Sequence, residues 1–329
     1  MRRLGDMAVV ALVAGLQGDA AFAQSPAPLT LERTIPLEGV AGRIDHLAFD
    51  PVRNRLLVAE LGNGSVEALD IATGKSAGRI SGLKEPQGLA YIPDRDEIAV
   101  ASGGDGVVRF YRAADLSLLA SLPLGDDADN VRFDPASARI VVGYGAGALA
   151  LIDPGAHKVL NRIEAPAHPE SFQIDGGRAF VNLPNAGRVA VVDLGAGKIV
   201  ATWSNQGRQL NFPMVLGAGA KEAVVVYRLP ARIVVFDTAT GKVQQSAPTC
   251  GDADDLFLDG ARHRLYVSCG SGAVDVFAAS KAGYTLSASV STRPGARTSL
   301  FVPSLDRLFV ASPRSGSRSA AILVYQPKP

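Results

Sequence analysis

Apolar residues along this chain come in short β-rich runs, each ended by a turn, and the runs recur in units of similar length. One set comprises Arg55 to Ala59, Arg139 to Gly143, Arg178 to Asn182 and Arg264 to Ser268. A Gly-containing turn follows each, and then a second set: Val66 to Asp70, Val107 to Tyr111, Val189 to Asp193 and Ile233 to Asp237. Several units continue through an ATGK or GAGK hairpin into a further strand. Each unit opens on a mostly polar position, at Asp45, Gln87, Asp129, Glu170, Asn211, Asp254 and Arg297, with spacings of 42, 42, 41, 41, 43 and 43 residues. Five residues beyond each opening position the chain turns, as at Asp50-Pro51, Asp134-Pro135 and Asp259-Gly260.

Each unit therefore predicts four short strands, A to D, joined by turn residues. A sheet that cannot bury both faces alone stacks on its neighbours, and seven such units around an axis make a β-propeller. The expected class is all-β, a seven-bladed propeller of four-stranded blades in one domain over residues 29–329. The last unit stops after its third strand, at ILVY before Gln326, and LERTIPL (Leu31 to Leu37) is available to complete it. Such pairing would close the ring and remove exposed edges. The same architecture explains a duplicated acidic turn, GDDADNVRFD from Gly125 and CGDADDLFLD from Cys250. Asp129 and Asp254 hold equivalent places three blades apart, roughly across a seven-membered ring.

The amino terminus has a different pattern. Arg2 and Arg3 precede an apolar run from Met7 to Leu16, and Ala21-Phe22-Ala23 follows, the layout of a secretory signal peptide over residues 1–23. The mature chain would begin at Gln24 with a loose QSPAP lead-in (24–28), in the periplasm or outside the cell. No later apolar run approaches the ~20 residues needed to span a bilayer. The formal net charge of +1, with Lys and Arg scattered over strands and turns, argues against nucleic acid as the partner. In an oxidising compartment the two cysteines, Cys250 and Cys269, are most simply one disulfide.

The phrases RLYVSCGSGAVDVF, AFVNLPNAGRVAVVDLGAGKIV and LLVAELGNGSVEALDIATGK resemble the YVTN-type β-propeller repeat. Exported bacterial proteins of the YncE-like family carry it, as does the heavy-chain-like propeller of amine dehydrogenases. The resemblance runs from about Leu29 to Tyr325. It implies the fold and little chemistry, because the repeat residues are structural and family members have varied roles. A WD40 reading would want Trp-Asp at strand ends, and Trp203 is the single tryptophan. The C-x-x-C-H of a haem protein is missing, as are the tryptophan-rich repeats and paired cysteines of quinone (PQQ) dehydrogenases. Neither haem nor PQQ is expected, and redox activity is disfavoured.

In a propeller the D-to-A and B-to-C connections share one face. The unit-opening residues Asp45, Gln87, Asp129, Glu170, Asn211, Asp254 and Arg297 are thus expected to ring the channel mouth there. His46, Asn130, Ser171 and Asp255 adjoin them, and Arg43, Asp127, His168, Arg208 and Asp252 approach on loops. His157 and His263 fall on the opposite face. Asp45, Asp129 and Asp254, with Asp255, offer the hard oxygen ligands that Ca²⁺ or Mg²⁺ prefer. Arg297 could grip a carboxylate or phosphate. The plainer alternative is a water-filled channel whose acidic residues cap strand starts. Clustered carboxylates could also raise one another's pKa.

His46 is the candidate catalytic base, and His168 with Glu170 a second base-and-orienter pair. Asp45 should point away from His46, as neighbours in a strand do, which leaves Asp255 or Arg297 as partners. The glycine strings GYGAGA, GAGAKEA and DLGAGK lie between strands and read as turns, and the Asn63-Gly64-Ser65 sequon is equally explained as a turn. Two functions remain. One is a monomeric binding or scaffold propeller presenting its polar face to a small ligand or periplasmic protein. The other is a metal-assisted hydrolase of the lactonase kind, or a lyase, at the channel mouth.

Overall fold

The β-rich units fold into seven four-stranded antiparallel sheets in a computed structural model that describes residues 27–329. The expected leader lies outside the described residues. In blades 1 to 6 the strands follow chain order from the axis outward. Blade 1, for example, runs Leu47–Asp50, Arg55–Glu60, Ser65–Asp70 and Lys75–Ser81, and blade 5 runs Gln209–Leu216, Glu222–Leu229, Ala231–Asp237 and Val243–Pro248. In blade 7 the strands Ser299–Val302, Arg307–Ser312 and Ala321–Pro327 are joined by Leu29–Pro36 from the other end of the chain. Leu29 pairs with Pro327 and Pro36 with Ala321 in antiparallel register.

Strands B and C carry near-continuous apolar runs because both their faces are covered. Ala99, Ala101, Val108 and Phe110 of blade 2 pack on Ile140, Val142, Ala150 and Ile152 of blade 3. Val224 and Val226 of blade 5 meet Leu265, Val267 and Phe277 of blade 6 in the same way. The outer D strands are mostly exposed and send in single side chains such as Ile80, Ile163 and Trp203. Trp203 lies between Phe180 and Phe236, at ring-centroid distances of 5.6 and 5.4 Å.

On the face away from the polar mouth, two A-to-B turns act as staples between blades. Asp50 Oδ1 accepts hydrogen bonds from the N–H groups of Val52 and Arg53, and the Arg53 guanidinium reaches Asp96 of the next blade (Nη1 to Oδ1, 2.7 Å). Arg262 repeats the arrangement, bonding Asp259 at its own turn and Asp306 of the next blade. Cys250, in a D-to-A connection, is disulfide-bonded to the buried Cys269 at the end of the following B strand, 19 residues on. Among the described residues no helix is long and apolar enough to cross a membrane.

Candidate functional site

The A strands line the axis, and the residues that start them converge on one mouth of the channel. There they enclose a cavity of about 390 Å³. Of the residues expected at this mouth, Arg43, Asp45, His46, Gln87, Asp127, Asp129, His168, Glu170, Asp254 and Arg297 line it. Asn185, Phe212 and Arg228 complete the wall, and Phe212 is its single apolar side chain.

Local geometry explains how these side chains are aimed. Asp127 and Asp252 stand two residues before Asp129 and Asp254, and both adopt left-handed backbone (φ 36° and 60°) that turns the chain into strand A. Asp and Asn tolerate this conformation better than most residues. The ends of the B strands leave room for them. A Cβ at Gly270 would lie 2.0 Å from Asp252 Oδ2, and one at Gly103 would lie 2.0 Å from Gln87 Nε2. A side chain at Gly270 would displace Asp252, and one at Gly103 would displace the Gln87 amide that reaches toward Asp127.

Charges are sorted around the ring. On the side of blades 5 to 7, Arg228 contacts Asp252 and Asp254, donates from Nε to the Ala253 carbonyl (2.7 Å), and covers the Phe212 ring at 4.0 Å. Arg297 Nη1 donates to Asp252 (3.0 Å to Oδ2), and its Nε lies 3.0 Å from Asp254 Oδ2. Arg43 Nη2 bonds Asp45 Oδ2 at 2.8 Å. On the side of blades 3 and 4, no arginine among the described residues forms an ion pair with the acids, and His168 is their charged partner. His168 Nδ1–H donates to the Gly145 carbonyl (2.7 Å), which directs Nε2 toward Asp129 Oδ2, 3.7 Å away. The Asp129, His168 and Glu170 ligand atoms lie within 4.8 Å of one another.

Burial and mutual charge shift several of these groups. Burial raises the Glu170 carboxyl to about 8, helped by Asp129 and opposed by His168. Burial also raises Asp254 to about 6, against the pull of Arg228 and Arg297. Asp45 and Asp127 are raised chiefly by burial too. For His46 burial opposes the charge, but Asp255, Asp45 and Asp129 outweigh it and lift the imidazole to about 10. His168 is lifted to about 9 against burial by Asp129, the Gly145 carbonyl and Asp127.

Several expected residues do not line the cavity. Asn211 is fully buried, where its amide donates to Asn182 Oδ1 (3.0 Å) and accepts from Asn205 (2.8 Å), tying blades 4 and 5 together. Asn130 is buried beside the mouth without lining it. Asp255 accepts from the Ser299 N–H (2.7 Å) and lines a second, wider funnel of about 660 Å³ on the axis. Arg208 likewise stays out, bonded to the Asn205 carbonyl and lying over Tyr227. His46 is the one residue shared by the lining of the mouth cavity and of the funnel.

The expectation that Asp45 points away from His46 does not hold. Their side chains lie 3.8 Å apart, about as close as His46 and Asp255 at 3.6 Å. Strand A of this blade begins only at Leu47, so the alternation of a strand does not govern residues 45 and 46. Arg228 was not anticipated. It enters because strand B of blade 5 runs on to Leu229, past the usual six residues. The signal available in the sequence was YRLPAR, where the glycine turn of the other blades is replaced.

The chain matches no protein-family model and no curated protein. Among solved structures it is similar to a chain of the Kuenenia stuttgartiensis hydrazine synthase, with a TM-score of 0.74 and 18% identity over 84% of this chain and 96% of that one. It is also similar to a chain of a mitotic checkpoint complex, with a TM-score of 0.77 and 14% identity over 97% and 99% of the two. The likeness is one of fold, the seven-bladed propeller.

Proposed function

We propose that this is an exported binding propeller of the YVTN-repeat, YncE-like kind, which takes a small polar ligand at its channel mouth. The observation that carries the reading is the cavity itself. At about 390 Å³ it has the size of a ligand site, and its wall presents donors and acceptors of both signs around a single apolar side chain, Phe212. A molecule with both hydrogen-bond donors and acceptors, such as an amino acid, a hydroxy acid or a monosaccharide, matches it. The hydrolase or lyase alternative with His46 as base is weaker, because an imidazole lifted to about 10 already carries its proton at neutral pH.

A thermal-shift panel of those three ligand classes, run in chelator, tests the reading. One class should raise the melting midpoint by a few degrees at a concentration about 100-fold above its Kd. The gain should be lost in Asp127→Asn or Arg297→Gln. No shift from any class, or one unchanged in both variants, would sink the proposal.

Export is supported by the disulfide, which suits an oxidising compartment. Protein made with its leader should begin at Gln24 by mass spectrometry and show no free thiol. The same chain made reduced in the cytosol should be less stable by about 3 kcal/mol, the entropy of closing a loop of this length. Recovery of uncleaved protein from the cell interior would remove this part.

A further inference from the structure

We propose that Asp129, His168 and Glu170 form a binding site for one divalent transition-metal ion of the Mn²⁺, Co²⁺ or Zn²⁺ class. The inference deepens the reading of the same pocket as a ligand site, but it stands on separate observations. The three side chains come from neighbouring blades and bring one ligand atom each within 4.8 Å of the others. Each of the three also has unused bonding capacity. Asp129 is buried, and its Oδ1 has no hydrogen-bond partner. A buried carboxylate oxygen left unpaired costs free energy unless something positive meets it. The Glu170 carboxylate makes no hydrogen bond or ion pair among the described residues.

His168 is already set as a ligand. Its Nδ1–H is held by the Gly145 carbonyl, which turns Nε2 toward the carboxylates, where an entering cation would take the place of the Nε2 proton. That is the usual outer support of a metal-bound imidazole, a backbone carbonyl on the far nitrogen. The 3.7 Å from Nε2 to Asp129 Oδ2 is long for a hydrogen bond. It is close to the roughly 3–3.5 Å that separates two ligands of one ion when each bond is about 2.1 Å.

The two other acids of the set expected from sequence are unsuited to a cation. Asp45 is held by Arg43, and Asp254 lies between Arg228 and Arg297. The set expected from sequence, Asp45, Asp129 and Asp254 with Ca²⁺ or Mg²⁺, therefore gives way to a different one. Exchanging one carboxylate for an imidazole moves the preference from hard alkaline-earth ions toward the first transition row. Three protein ligands leave at least one position open to the cavity, where a carboxylate or hydroxyl of the pocket's ligand could bind.

Chelator-stripped, tag-free protein titrated calorimetrically with Mn²⁺, Co²⁺ and Zn²⁺ alone tests this. At least one ion should bind at one equivalent, and Co²⁺ should develop visible bands of low coordination number. His168→Gln and Glu170→Gln should each weaken binding at least tenfold, while Asp254→Asn stays within threefold. Melting of each variant in chelator checks that it is folded. If a variant does not fold, anomalous scattering from a Mn²⁺-soaked crystal of the parent must place the ion against these three residues. No stoichiometric binding of any ion, equal loss in Asp254→Asn, or an ion located elsewhere overturns the site. The small-ligand reading survives that failure if the panel in chelator still gives a shift, so the two fail separately.

Discussion

Mature protein shortened to begin at Glu38 is expected to lose cooperative folding. The deletion removes strand Leu29–Pro36, which fills the outer place of blade 7. It also removes three side chains that are each 2% exposed, and these sit in two different cores. Leu29 packs with Tyr266, Val274 and Leu308 on the blade 6 side, whereas Ile35 and Leu37 pack with Leu56 and Val58 of blade 1. At about 1.5–3 kcal/mol for each buried side chain, the loss is roughly 5–9 kcal/mol before any ladder hydrogen bond is counted. A whole domain is stable by only about 5–15 kcal/mol. The shortened chain would also expose the edge of Ala321–Pro327 to pairing with other molecules, so aggregation should accompany the loss. A synthetic peptide of residues 27–37 should restore a sharp melt by adding itself as the missing strand. A truncated protein that melts cooperatively within about 5 °C of the parent would show that the clasp is dispensable.

The second large effect is expected at Arg228. Its guanidinium is mostly buried and serves Asp252, Asp254 and the Ala253 carbonyl at once. Arg228→Met keeps much of the contact with Phe212 but leaves Asp254 with Arg297 alone. Breaking one side of a buried ion pair costs about 3–5 kcal/mol, so the midpoint should fall on the order of 10 °C at pH 8. The pH dependence separates charge from packing. Asp254 is raised to about 6, above the ordinary aspartate value, so the folded state binds its proton more tightly than the unfolded chain does. Lowering the pH through about 6 therefore favours the folded state at this group. Without Arg228 its pKa rises further, because a charge that favoured the carboxylate is gone. The damage should be clearly smaller at pH 5 than at pH 8, and Asp254→Asn should reduce it at pH 8 while changing it little at pH 5. Equal loss at the two pH values would assign the effect to packing.

Much of the architecture was legible because a propeller repeats its turn chemistry at a fixed interval. The strands read from Arg55, Arg139, Arg178 and Arg264 begin at those residues in the structure. Equivalence along the repeat also placed Asp129 and Asp254 at one mouth. It could not say what each column member does there. Glu170 and Asn211 hold the same place in adjacent blades, yet one faces the cavity and the other is consumed by Asn182 and Asn205. Which partner meets a side chain is decided by the neighbouring blade, some 40 residues away, and a single repeat does not encode it. The sequence pairs His168 with Glu170, two residues on. In the structure it meets Asp129 of the preceding blade as well. Arg228 escaped because one blade extends its second strand where the others turn.

The mouth cavity and the funnel beneath it on the axis are two cups that meet at one side chain, His46. One cup is wet and charged. The other is walled by Phe49, Phe133, Phe257, Leu300 and Phe301. An occupant of either is met by the same imidazole, held between Asp45 and Asp255. The molecule therefore has a polar end and a greasy end that can be remodelled separately by substitution, provided the floor they share is left alone.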